Sequence, residues 1–127
     1  MKTIAVIPTV RSPYKNQIEY CIDKNIYKLL KNIFKKINII NLSSESKLNK
    51  KTDLLVVCGG NDILKFSKKK QDLIRHQLTK KYFNLSKKLN IPILGICYGA
   101  QFAADLFNSK FIKKRKVGNH LIQIKKN

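Results

Sequence analysis

The sequence predicts an α/β fold: a mostly parallel sheet flanked by helices on both faces. Three observations predict it. Short apolar runs rich in β-branched residues alternate with longer segments of helical periodicity. Two of those runs, residues 53–60 and 91–96, are almost continuously apolar, as strands covered on both faces are. Both runs lead into glycine-containing turns, and ligands of open parallel sheets bind at the carboxyl ends of the strands.

The elements follow in order. "KTIAVI" (2–7) is a first strand, and Pro8, Ser12 and Pro13 mark a loop over residues 8–16. From Gln17 to Lys36, the residues Ile18, Cys21, Ile22, Ile26, Leu29, Leu30, Ile33 and Phe34 recur at three- and four-residue steps, which predicts one amphipathic helix with lysines outside. "INIINL" (37–42) is a second strand and polar residues 43–51 a loop. Residues 53–60, "DLLVVCGG", form a third strand that ends in a tight turn. Ser67 is placed to cap a long helix that runs to Leu89, where Asn90 and Pro92 stop it. "IPILGI" (91–96) is the fourth strand. Residues 99–108 are a helix with Ala100, Ala103, Ala104 and Phe107 available to pack. The segment "NHLIQIKK" (119–126) alternates apolar and polar residues, as an exposed edge strand does.

Composition bounds the function. A chain of 127 residues, 43% hydrophobic, suits one folded domain over 1–127 and excludes a disordered chain. No run approaches the roughly 18 apolar residues of a membrane span, and the N-terminus lacks the long apolar core of a secretory signal. A cytoplasmic protein is expected. Cys21, Cys58 and Cys97 are odd in number and lack close pairing, which argues against a disulfide framework or a structural metal site. No cofactor and no metal are expected. The net charge of +20 comes from 27 basic residues, of which 24 are lysines spread along the chain. Without a recognition motif, this reads as a solvated lysine coat with weak, salt-sensitive affinity for polyanions and no specific nucleic-acid partner.

The chemistry concentrates at "PILGICYGAQF" (92–102). A cysteine in a sharp strand-to-helix turn projects its sulfur above the sheet, as the serine of a hydrolase nucleophile elbow does. Gly95 and Gly99 let the chain turn without Cβ clashes. The following helix aims its N-terminus at Cys97, which favours negative charge on the sulfur, and the Tyr98 N–H is free to donate to an oxyanion. The glycine pair of "CGGND" (58–62) is placed to supply a second donor. The plainer alternative is a buried cysteine in a tight connection.

Taken together, "DLLVVCGGND" and "IPILGICYGAQ" resemble the class I glutamine amidotransferase family, closest to its γ-glutamyl-GABA hydrolase and γ-glutamyl peptidase branch. The resemblance covers residues 1 to about 124 and is strong at 53–62 and 91–102. It implies a flavodoxin-like glutaminase-type domain. Cys97 would attack a glutamine or γ-glutamyl amide and form a thioester. Gly60 and Tyr98 would supply backbone N–H groups to the oxyanion, and Gln101 would help hold the glutamyl group. The substrate is then glutamine or a γ-glutamyl small molecule.

The family's base is the histidine of a downstream His-x-Glu element, and the sequence contains none. His76, beside Arg75 and Gln77, reads as a surface histidine. His120 matches a family segment that is not the catalytic one, and no carboxylate follows it. The expectation is a C-terminally truncated domain, whose free strand edge favours a partner subunit or a second copy. A catalytically inactive protein that binds a γ-glutamyl ligand or a partner is the alternative.

Overall fold

The computed structural model describes residues 1–112. Its centre is a four-stranded, all-parallel sheet built from β1 (Lys2–Ile7), β4 (Ile37–Asn41), β5 (Leu54–Val57) and β6 (Ile93–Gly95), in the order β4-β1-β5-β6. A hairpin of β2 (Thr9–Arg11) and β3 (Glu19–Cys21) stands beside it. The helices are α1 (Lys24–Ile33), α2 (Lys70–Leu89) and α3 (Tyr98–Leu106).

The two central strands are buried at successive residues, Ile4–Ile7 in β1 and Leu55–Val57 in β5, because they alternate between two covered faces. Ile4, Val6 and Val56 pack with Leu30 of α1. Their neighbours Ala5, Ile7, Leu55 and Val57 pack with Leu78, Tyr82 and Phe83 of α2 and Phe102 of α3. Helices therefore lie on both faces, and the fold is the predicted flavodoxin-like α/β arrangement.

The expected helix over residues 17–36 is shorter, and its first part is a strand. Glu19–Cys21 pairs antiparallel with Thr9–Arg11, in the region read as a loop. Ile18 and Tyr20 pack on the α2 side, whereas Ile22 and Ile26 pack on the α1 side. One helical stripe cannot serve both cores. Asp23 starts α1 instead, accepting the N–H groups of Asn25 at 2.8 Å and Ile26 at 3.2 Å on Oδ1.

Ser67 is not the cap of α2. Its hydroxyl accepts the Lys69 N–H at 3.3 Å and donates to Asp72 Oδ2 at 2.6 Å, and the helix begins at Lys70. Asn90 does end α2, in the left-handed conformation at φ 55° and ψ 36°. The expected edge strand at 119–126 and His120 lie outside the described residues.

Candidate functional site

The sheet order reverses at β1, with β4 on one side and β5 on the other. Loops that leave neighbouring strands at such a reversal diverge and open a crevice at their carboxyl ends. Here the crevice is a cleft of about 260 Å³, lined by β2, the loop after β5, the start of α1 and the turn after β6.

Cys97 forms the sharp turn between β6 and α3. Its φ of 49° and ψ of −104° lie in a region that costs a non-glycine residue roughly 1–3 kcal/mol. Hydrogen bonds on both sides hold it there. The Ile96 N–H donates to Val57 O at 2.9 Å, and the N–H groups of Gly99 and Gln101 donate to Ile96 O at 3.0 Å and Cys97 O at 2.9 Å. Two glycines let α3 seat directly on the sheet. A Cβ on Gly95 would lie 2.6 Å from the Gly99 carbonyl carbon, and one on Gly99 would fall on the Val57 carbonyl oxygen. The result is an exposed cysteine on a strained turn, at the mouth of the cleft.

The facing wall is the glycine pair after β5. A Cβ on Gly59 would stand 3.0 Å from Cys97 Cβ. Gly60 has φ +97°, and a Cβ there would meet Thr9 Cγ2 at 2.5 Å. The Thr9 hydroxyl donates to Gly59 O at 2.7 Å. Asn61 completes the tie: it accepts the Val10 N–H at 3.0 Å and donates to Val10 O at 2.9 Å, as a neighbouring strand would. It also donates to Asp72 Oδ1 at 3.0 Å. Burial raises the Asp72 carboxyl, but hydrogen bonds from Ser67, Asn61 and the Asp62 N–H outweigh it and hold the group below the ordinary carboxylate range.

Arg75 lies beneath the cleft. It was read from sequence as a polar neighbour of a surface histidine, yet it is fully buried. Its guanidinium donates to Ile7 O at 3.1 Å and Cys58 O at 2.5 Å, and lies 4.8 Å from the Tyr98 ring centroid. One side chain thus joins the ends of β1 and β5 to the start of α3. Burial pushes its pKa down to about 10, which leaves it charged at neutral pH. Burial also raises the Cys58 thiol, against the nearby Arg75 charge. Cys58 and Cys97 share the cleft, one buried and one exposed.

Of the predicted site residues, Cys97 and Gly60 line this cleft together. The Tyr98 side chain is buried, and its hydroxyl has no hydrogen-bond partner among the described residues. Its main-chain N–H, at the first position of α3, has no intrahelical acceptor. Gln101 lines a separate hollow with Lys65, Phe66, Phe111 and Ile112. His76 is half-buried, its ring 5.4 Å from that of Phe102, in a hollow away from Cys97. Burial, with Lys80 adding to it, lowers the His76 pKa. Among the described residues no histidine lines the Cys97 cleft. Thr9, Arg11 and Asp23 do line it, and the sequence reading had not singled them out. Arg11 carried a faint signal, as one of three arginines among 27 basic residues.

A doubly wound parallel sheet with a cysteine elbow at its carboxyl edge matches a known class, and the chain belongs to it: residues 16–126 match the class I glutamine amidotransferase family. Among curated proteins, the chain is similar to the gamma-glutamyl-CDP-amidate hydrolase of Campylobacter jejuni, at 33% identity over 98 residues. That match covers 71% of this chain and 47% of the relative, so the chain spans about half the length of the curated relative it matches. No solved structure matches it significantly. No helix among the described residues is long and apolar enough to cross a membrane.

Proposed function

We propose that this chain carries glutaminase or γ-glutamyl hydrolase chemistry with Cys97 as the nucleophile. The observation that carries the reading is the exposed cysteine on a strained turn, facing a glycine pair across a small cleft. The Cys97 sulfur, as thiolate, adds to the γ-carbonyl carbon, and the N–H groups of Gly60 and Tyr98 receive the oxyanion. The C–N bond then breaks and the amine leaves on a proton taken from solvent water, as ammonia or as the amine of a γ-glutamyl compound. The hydroxide left behind adds to the thioester, the C–S bond breaks, and glutamate is released. Gln101, one turn beyond the nucleophile, lines a separate hollow and has no part in this scheme. The similarity to a γ-glutamyl-amidate hydrolase supports a γ-glutamyl substrate. The three free cysteines support a reducing, cytoplasmic setting.

A second reading is a non-catalytic protein that binds a γ-glutamyl ligand or a partner subunit. It is favoured by the lack of a histidine lining the cleft among the described residues. General-base assistance contributes roughly 10²- to 10⁴-fold, so a site without it turns over slowly. The test is glutamate release from glutamine and from γ-glutamyl amides by the purified chain, by Cys97→Ala and by His120→Ala. Release lost in Cys97→Ala supports the hydrolase. Release that persists in Cys97→Ala removes the nucleophile, and no release with retained ligand binding selects the second reading.

A further inference from the structure

We infer that Arg11 and Asp23 read the zwitterionic end of a γ-glutamyl group, Arg11 taking the α-carboxylate and Asp23 the α-ammonium. This rests on the γ-glutamyl reading above and assigns the part of the same cleft that β2 and the start of α1 supply. Arg11 closes β2 and Asp23 opens α1, and the two share the cleft with Cys97. Although they carry opposite charges, they form no ion pair with each other, and neither forms one elsewhere among the described residues. Two unpaired opposite charges across a small cleft fit a ligand that carries one charge of each sign. A γ-glutamyl group has both on one carbon, at the end remote from the reacting amide.

Three further observations support the assignment. Arg11 is one of three arginines in a chain with 24 lysines, and Arg75 is a second, buried at the strand ends. Arginine presents a planar fork that fits a carboxylate bidentately, which lysine does not. Asp23 uses Oδ1 for both helix-capping contacts, which leaves Oδ2 available as an acceptor. At about 260 Å³ the cleft falls below the usual range of about 300–1,000 Å³ for drug-sized ligands. It suits an amino-acid-sized group, with any larger leaving group outside it.

The experiment is calorimetric titration of the Cys97→Ala protein, which cannot turn substrate over through the sulfur. The ligands are L-glutamine, glutaramic acid (no α-ammonium) and γ-aminobutyramide (no α-carboxylate). With Arg11→Met added, glutamine binding weakens about tenfold to hundredfold, the weight of a charge-assisted hydrogen bond, while γ-aminobutyramide binding is unchanged. With Asp23→Asn added, glutamine binding weakens and glutaramic acid binding is unchanged. Asparagine still caps α1, so that variant keeps its fold. Arg11→Lys falls between Arg11→Met and the parent. Equal losses for all three ligands, unchanged glutamine binding in Arg11→Met, or no binding of any ligand to Cys97→Ala overturns the assignment. Failure to release glutamate from the intact protein, with this binding pattern retained, overturns the chemistry at Cys97 and leaves the assignment standing.

Discussion

Replacing Arg75 with methionine tests whether one buried cation holds the site together. Methionine keeps much of the volume and removes every donor. The Cys58 carbonyl then loses the 2.5 Å bond from Arg75, and an orphaned buried carbonyl costs about 1–3 kcal/mol. The Ile7 carbonyl suffers less, because it also accepts the Cys58 N–H at 3.4 Å. The stacking of the cation on Tyr98 is worth up to about 2 kcal/mol when desolvated. Against these losses, the variant no longer buries a guanidinium whose Nε lacks a partner. The net expectation is a destabilisation of about 2–3 kcal/mol, a large share of the roughly 5–15 kcal/mol typical of a domain. Urea unfolding measures it, and alkylation of the buried Cys58 thiol below the transition reports whether the cleft has loosened. Arg75→Lys should fall between, since one ammonium cannot span both carbonyls as the fork does. A midpoint for Arg75→Met within about 0.5 kcal/mol of the parent, the range of an ordinary surface substitution, refutes the reasoning.

Other substitutions probe the elbow and its support. Gly99→Ala should destabilise by about 3 kcal/mol, because the new Cβ would stand 2.8 Å from Val57 Cβ and on the Val57 carbonyl oxygen. A thermal melt unchanged from the parent means that α3 does not sit this close. At position 97 glycine should be more stable than alanine by about 1 kcal/mol, since only glycine adopts a φ of 49° and a ψ of −104° without strain. Equal urea midpoints for the two variants remove strain from the description of the turn. Acid unfolding should depend on Asp72, whose folded pKa lies below its unfolded value of about 3.9. Its contribution is therefore present above that value and lost as pH falls through the folded pKa. Asp72→Asn should flatten the loss of stability between about pH 4 and the folded pKa, and an unchanged slope places the titration elsewhere.

The four parallel strands were legible because each carries a short apolar run, densest in β1 and β5, the strands covered on both faces. The elbow was legible because few arrangements other than a strand-to-helix turn set Gly-x-Cys-x-Gly after such a run. The stretch 17–23 was misread for a physical reason. Ile18 and Ile22 keep helical spacing by coincidence, while their side chains belong to two different cores. The correct signal was Asp23, a good capping residue inside the supposed helix. Arg75 was missed because periodicity assigns a charged residue to the outside, and nothing local shows that the ends of β1 and β5 need a shared donor. Gln101 stood near the nucleophile in sequence, but the helix carries it to a neighbouring hollow. Arg11 and Asp23 reach the cleft only through the hairpin and the late start of α1.

The central position of β1 also governs how the molecule assembles. One edge of β1 joins β4 at once, but the other waits for β5, and the bond from Thr9 to Gly59 spans fifty residues. Parallel pairings of this separation fold slowly, because the intervening chain must be ordered before they are rewarded. Until then the edge of β1 that β5 will cover is open to any other extended chain, which favours aggregation during synthesis. The lysine coat, at a net charge of +20, opposes that hazard by keeping copies apart while the sheet closes.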